Sequence, residues 1–422
     1  MDYYNNTINN NVFQALKNTL KKINTIPNKF IVIFWFLGPF IYLIERTPGD
    51  AWLSIIALLL VIKSIREKNW SWANQPWFKF ALLYWIWSLL VACQGPMPLL
   101  SLQEGFVWIR FPLYAAAVQS WIACNRDIRG SMIFLLSIAS IIMSFILFAE
   151  FYFLGPFDGR LSWPYGDIMS GNFIAKTCMP AIIVLTAICL SKIKIENIFY
   201  VFCILISIVA VTLTGERTSM ILTICACLVT VFSLKLNFKT LLSTLILLML
   251  ILIVIFFYND ALFVRFSEQL IDNIPILNTN TSYWGTWRSG LQQGLENFWL
   301  GVGPTGSRHT CGLLGEHWLP GVNYCGNHPH NFYIQMFAET GFIGLIIGCF
   351  MIFYILKTCW LSRKYLPNCF MAKTAFIIPL AVFFPFQQTG SFFGQWNNLF
   401  MWFAIGFALS NFQNWPKIKK NE

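Results

Sequence analysis

Apolar residues run along this chain in long stretches, separated by short polar connections and by one long polar segment. The stretches predict membrane-spanning helices near residues 30–46, 51–65, 77–95, 106–124, 131–154, 169–190, 196–213, 216–234, 238–258, 331–356, 372–388 and 392–411. About twenty apolar residues are what a helix needs to cross the hydrocarbon core of a bilayer. The second stretch is short for a full crossing and predicts a less tilted span or a locally thinned bilayer. The pattern therefore predicts an all-α polytopic membrane protein of about twelve spans, forming one integral membrane domain. A tail (1–29) leads into spans one to nine (30–258), then a polar loop (259–330), spans ten to twelve (331–411) and a second tail (412–422).

Composition excludes a soluble globular protein: 57% of residues are hydrophobic, 11% are charged, and mean hydropathy is +0.61. Charge adds an orientation. With both termini on the cytoplasmic side, the inner segments hold 21 of the 29 basic residues, as the positive-inside rule requires. Inside, Lys outnumbers Arg 17 to 4, whereas seven of the eight outer basic residues are arginines: Arg46, Arg110, Arg160, Arg217, Arg265, Arg288 and Arg308, with Lys176 the eighth. Lysine suits a hydrated surface against anionic lipid, while the planar arginine fork suits phosphate or carboxylate. The outer arginines are thus candidates to bind an anion. No glycine-rich phosphate loop marks a nucleotide site, and neither nucleotide nor nucleic acid is an expected partner.

The chemistry-bearing residues concentrate in the polar loop and its approaches. All four histidines, His309, His317, His328 and His330, fall in it, and histidine suits proton transfer near neutral pH. The turn Thr214-Gly215-Glu216-Arg217 puts Arg217 at a helix start, where an anion is favoured; a phosphate and a plain ion pair with Glu216 are both open readings. Arg160 sits in a turn-rich outer connection, where contact with lipid headgroups is the simpler account. Within the loop, residues 281–300 show helical spacing in Trp284, Trp287, Arg288, Leu291 and Leu295, predicting a helix lying flat on the membrane surface with Arg288 on its apolar side. Asn327-His328-Pro329-His330 then runs into span ten, with Pro329 in the first helical turn and Asn327 or His328 as its cap. Asn331, Gln335 and Glu339 form one polar stripe down that span. Glu339 reads as a structural partner of Lys176 or Arg110 ahead of a catalytic role. Cys311 and Cys325 read as a disulfide in preference to free thiols; a zinc site with His317 and His328 fits no standard spacing, so no metal is expected.

Taken together these segments resemble the bacterial O-antigen ligase and O-antigen polymerase superfamily. The resemblance rests on Arg160 to Gly171, on Thr214-Gly215-Glu216-Arg217, on Trp287-Arg288-Ser289-Gly290-Leu291 with Gly301-Val302-Gly303-Pro304, and above all on His328-Pro329-His330-Asn331-Phe332-Tyr333 with Glu339-Thr340-Gly341-Phe342. It implies a glycosyltransferase of the inner membrane, using an undecaprenyl-diphosphate-linked glycan as donor and acting through a periplasmic loop. The acceptor implied is the lipid A–core oligosaccharide for a ligase, or another lipid-linked glycan for a polymerase. By motif Arg217 and Arg288 would hold the donor diphosphate, with Arg160 as a further candidate. His330 would activate the acceptor hydroxyl, with His328 in reserve and Asn331 and Glu339 as secondary candidates.

The residue chemistry agrees with this expectation. Charge that develops on a departing diphosphate needs fixed positive groups. No Asp-x-Asp metal motif occurs in the chain, so arginines are the expected source, with no cofactor. The expected reaction is a one-step, metal-independent, inverting transfer in lipopolysaccharide biosynthesis, with the ligase favoured over the polymerase. A lipid-linked-sugar transporter is the reading from another class, but paired halves and ionisable residues at the bilayer midplane, which transporters tend to show, are not evident.

Overall fold

The computed structural model describes residues 29–44, 46–123, 126–156, 159–161, 194–234, 238–268, 281–310, 326–365 and 370–410. Its regular elements are helical: α1 (Lys29–Ile44), α2 (Arg46–Glu67), α3 (Pro76–Ala92), α4 (Pro98–Trp108), α5 (Arg110–Ala123), α6 (Arg126–Ala149, extended by a wider turn over Glu150–Leu154) and α7 (Lys194–Leu213). There follow α8 (Arg217–Ser233), α9 (Phe238–Phe257), α10 (Asp260–Phe266), α11 (Ser282–Glu296), α12 (Ser307–Thr310), α13 (Phe332–Tyr365), α14 (Phe370–Thr374), α15 (Ile377–Val382) and α16 (Gln395–Leu409).

Among the described residues three helices are long and apolar enough to cross a bilayer unbroken: Thr47–Glu67, Gly130–Leu154 and Phe332–Lys364. Leu245–Phe257 and Asp260–Phe266 make a fourth if counted as one span bent by 118°. The other apolar helices are shorter; α3, with 17 residues, rises about 26 Å against a hydrocarbon core of ~30 Å. The hydropathy pattern thus located apolar helices well and their lengths less well. The second span is a complete 22-residue helix, not a short one. The stretch read as one span at 106–124 breaks at Ile109, between α4 and α5, and the stretch at 372–388 resolves into α14, α15 and an irregular segment. The expected span at 169–190, Lys176, His317, Cys311 and Cys325 lie outside the described residues.

Two cores hold the bundle. The larger joins α1–α8 and α13–α16 around fully buried aromatics, including Trp52, Trp77, Trp108, Trp402, Tyr84, Tyr114, Phe392 and Phe393. Lipid removes the usual hydrophobic drive between helices, so close packing and internal hydrogen bonds must supply cohesion. The indole N–H groups do so: Trp108 donates to the Phe392 carbonyl (3.1 Å), Trp402 to Asn398 Oδ1 (2.8 Å) and Trp52 to the Phe34 carbonyl (2.8 Å). Arg110 and Asp50, 3.0 Å apart, pair α5 with α2. The smaller core packs α6, α7, α8 and α9 through residues such as Met143, Leu147, Val211 and Leu252.

The element that positions the loop is a break in α13. Gly341 has φ 68° and ψ −174°, so the helix ladder stops there and resumes beyond it. The break leaves carbonyls without their own-helix donors, and the loop supplies replacements. Val302 N–H donates to Ala338 O (2.9 Å), Gly303 N–H to Glu339 O (2.9 Å) and the Trp87 indole to Thr340 O (2.8 Å), while Phe342 N–H donates to Phe298 O (2.7 Å). Gly301 and Gly341 both have positive φ, and a Cβ on either would run into the backbone of the other segment. Replacing Gly341 by Ala should therefore cost well above the ~1–3 kcal/mol of an alanine held in this sparsely populated backbone region alone. Gly155→Ala is the control, since its φ is also positive but its Cβ would meet nothing. Thermal unfolding in detergent should show a clearly larger loss for Gly341→Ala; equal losses would mean that the close approach contributes nothing.

Candidate active site

The carboxyl end of the polar loop builds the first half of the site. Helix α11 is capped by Thr281, whose hydroxyl accepts from Trp284 N–H (3.1 Å). It packs on the start of α13 because Gly290 and Gly294 present no side chain: a Cβ on Gly290 would strike Pro329 and Ile334, and one on Gly294 would strike Phe337. This turns Trp287 inward and leaves Arg288, Leu291 and Leu295 outward. Arg288 does share a face with the leucines, as the spacing predicts, but the two tryptophans do not define it. The side chain of Arg288 is exposed and has no hydrogen-bond or ion-pair partner among the described residues.

At the start of α13 the cap is Asn331, not Asn327 or His328. Its Oδ1 accepts from Tyr333 N–H (3.0 Å) and Ile334 N–H (3.2 Å), and Pro329 precedes the helix instead of opening it. Asn331, Gln335 and Glu339 are buried and tie three segments together. Asn331 Nδ2 donates to Pro385 O (2.6 Å). Gln335 Nε2 donates to Glu339 Oε2 (3.0 Å) and to Ser391 Oγ (3.0 Å), and its Oε1 accepts from Phe392 N–H (2.7 Å). Ser307 donates its hydroxyl to the other Glu339 oxygen. Glu339 thus finds hydroxyl and amide partners, and Arg110, one of its expected partners, pairs with Asp50. The stripe is a hydrogen-bonded frame joining the loop, α13 and the 385–394 segment.

On that frame sit the two histidines. His328 Nε2 lies 3.2 Å and His330 Nδ1 3.3 Å from the same acceptor, the backbone carbonyl of Thr389. Their rings are 4.2 Å apart, and Thr389 N–H donates back to His330 O (2.9 Å). A carbonyl oxygen only accepts, so the nitrogen facing it carries the proton in a neutral ring. For His330 this assigns the N–H to Nδ1 and the lone pair to Nε2. His330 also has φ 54°, an uncommon conformation for a residue with a side chain, maintained by its surroundings. A small cleft opens beside His328 and Pro329, lined across from them by Thr286, Ser289, Gln293 and Ser307.

The second half gathers arginines. Arg265, in α10, is buried; its Nε donates to Gly215 O (2.8 Å), and its own carbonyl accepts from Arg217 Nη1 (3.5 Å). Gly159, the neighbour of Arg160, packs against both the Arg265 side chain and Gly215. The backbone thus brings the segments of Arg160, Arg217 and Arg265 together, while Glu216, the acid adjacent to Arg217, forms no ion pair among the described residues. Arg288 pairs with neither this group nor the histidines. His309 is half-buried on α12, outside the histidine pair. Among the arginines that are candidates to bind an anion, Arg265 has no motif of its own, because its helix, bent back from α9, carries no pattern that marks it.

Three to four candidate spans among the described residues fit a multi-pass membrane protein. Residues 202–349, about a third of the chain, match the family model described as O-antigen ligase. The match contains Arg217, Arg265, Arg288, both site histidines and the Gly341 break; Arg160 precedes it. No curated protein matches the chain.

Arg265→Lys keeps the charge but loses the Nε–H that holds Gly215. It should release the Arg217 turn and lower apparent affinity for a lipid diphosphate by about 10-fold, a cost of ~1.4 kcal/mol for one charge-assisted hydrogen bond. Titration of the purified protein with undecaprenyl diphosphate reads this out, and unchanged affinity would show that the contact does not shape the turn.

Proposed function

We propose that this protein is an O-antigen ligase, transferring a glycan from undecaprenyl diphosphate to the lipid A–core oligosaccharide on the periplasmic face of the inner membrane. The observation that carries the proposal is the histidine pair on the Thr389 carbonyl, inside the segment that matches the O-antigen ligase model. In this reading the acceptor hydroxyl attacks the sugar C1 as its proton passes to His330 Nε2. The bond from C1 to the phosphate oxygen breaks, and its electron pair leaves with the diphosphate. Arg217, with Arg160 and Arg265 beside it, meets that charge from the protein side, and Arg288 meets it from the outward face of α11. Fixed cations facing developing charge are the largest single source of such rate enhancement. One displacement inverts the configuration at C1, and the arginines take the place a metal would otherwise fill.

The polymerase reading uses the same donor and groups but leaves the product on the lipid carrier. Incubating the purified protein with both lipids separates the readings: a ligase yields glycan on lipid A–core and free undecaprenyl diphosphate, a polymerase yields longer carrier-linked glycan, and a transporter yields no new covalent product. Arg217→Ala and Arg288→Ala should each lower kcat by ~10²–10³-fold and His330→Ala by ~10²–10⁴-fold, with membrane insertion unchanged. Arg288→Lys should also transfer poorly if the guanidinium grips phosphate through two N–H groups. Full activity of His330→Ala would remove that residue from the mechanism.

A further inference from the structure

Gln293 is the residue in this region that neither the motifs nor the proposed displacement uses. It lies on the inward face of α11 with 1% of its surface exposed, and it lines the cleft beside His328 and Pro329. Its Nε2 donates to the Ser307 carbonyl (3.3 Å). That carbonyl fixes the amide: reversing it would set two acceptor oxygens against each other. The Oε1 that this orientation leaves is buried with no hydrogen-bond partner, and a buried amide oxygen left unpaired costs about 1–3 kcal/mol. The remaining walls are polar, with Thr286, Ser289 and His328, and the cleft is narrow. What completes it is a small group that donates one hydrogen bond and tolerates hydroxyl neighbours.

We infer that this cleft holds one hydroxyl of the acceptor sugar, with Gln293 Oε1 as its hydrogen-bond acceptor. The inference rests on the reading of the protein as a glycosyltransferase. The acceptor is favoured over the donor because the far wall is His328, whose ring centroid lies 4.2 Å from that of His330, the group that takes the attacking hydroxyl's proton. A second hydroxyl of the attacking sugar is therefore close to the cleft, while the donor diphosphate is drawn to the arginines. Gln293 acts here as a specificity residue: a site built to bond a hydroxyl rejects the analogue lacking it more strongly than an apolar pocket rejects a small change of shape.

The test compares the wild type with Gln293→Met, which keeps length and apolar bulk but removes the oxygen. Purified proteins are assayed with undecaprenyl-diphosphate-linked glycan and a panel of acceptor glycolipids, each lacking one hydroxyl other than the nucleophile. The variant should raise acceptor KM by about 10- to 100-fold, the range of one buried hydrogen bond, and leave donor KM unchanged. One monodeoxy acceptor should be used equally poorly by both proteins. Unchanged acceptor KM, or a rise in donor KM instead, would overturn the inference. Partial misfolding lowers kcat without moving KM. If the variant cannot be purified, the wild type decides alone: it must reject one monodeoxy acceptor by at least ~100-fold, and equal use of the whole panel would overturn the proposal. Failure of the wild type to transfer to the intact acceptor would overturn the glycosyltransferase reading along with this one.

Discussion

Backbone hydrogen bonding across the break in α13 is the constraint on which the rest of the molecule depends. A helix interrupted at Gly341 strands the carbonyls of buried residues, Ala338, Glu339 and Thr340, and a buried carbonyl left unmet costs about 1–3 kcal/mol. The loop residues Val302 and Gly303 and the Trp87 indole meet that demand. The break and the loop are therefore one structure: neither is stable in this form without the other. Because Gly301-Val302-Gly303 is bound there, Ser307 reaches Glu339, Glu339 reaches Gln335, and Gln335 reaches the Ser391 hydroxyl and the Phe392 N–H. The histidines are set by the far end of that chain of contacts, through a carbonyl of the same 385–394 segment.

Electrostatics follow from the same scaffold. The buried Glu339 is answered by neutral donors, Ser307 and Gln335, whereas Asp50 takes Arg110 as its partner. Arg265 donates its Nε–H to a backbone carbonyl, holding a turn in place. Arg265 thus lies against the Arg217 turn, and Arg288 is exposed on the outward face of α11. In the proposed reaction a pyrophosphoryl group, with its spread negative charge and many acceptor oxygens, is the counterpart of these arginines.

Much of this could be read from residue patterns, and the exceptions have physical causes. Apolar stretches and a polar loop gave the helical class, and the four-residue spacing of Asn331, Gln335 and Glu339 gave a real buried stripe. The histidines and Arg217 stood out because histidine confined to one loop and arginine at a helix start are rare arrangements. The Gly341 break escaped notice because one residue with positive φ leaves the surrounding apolar run intact. Thr389 contributes a backbone carbonyl, which every residue owns. Gln293 was hidden because the tryptophans of α11 outweighed its glycines in the hydrophobic pattern, although the glycines choose the packed face. The cap of α13 was misplaced by four residues at most, since Pro329 is as compatible with the approach to a helix as with its first turn.

The central claim is a single displacement at C1, assisted by His330 and by arginines. Its most direct test is the configuration of the new glycosidic linkage, read by nuclear magnetic resonance on product made by the purified protein from a donor of known anomeric form. The account predicts the opposite anomer in the product. Retention of the donor's configuration, which requires two displacements and a covalent glycosyl-enzyme, would contradict it.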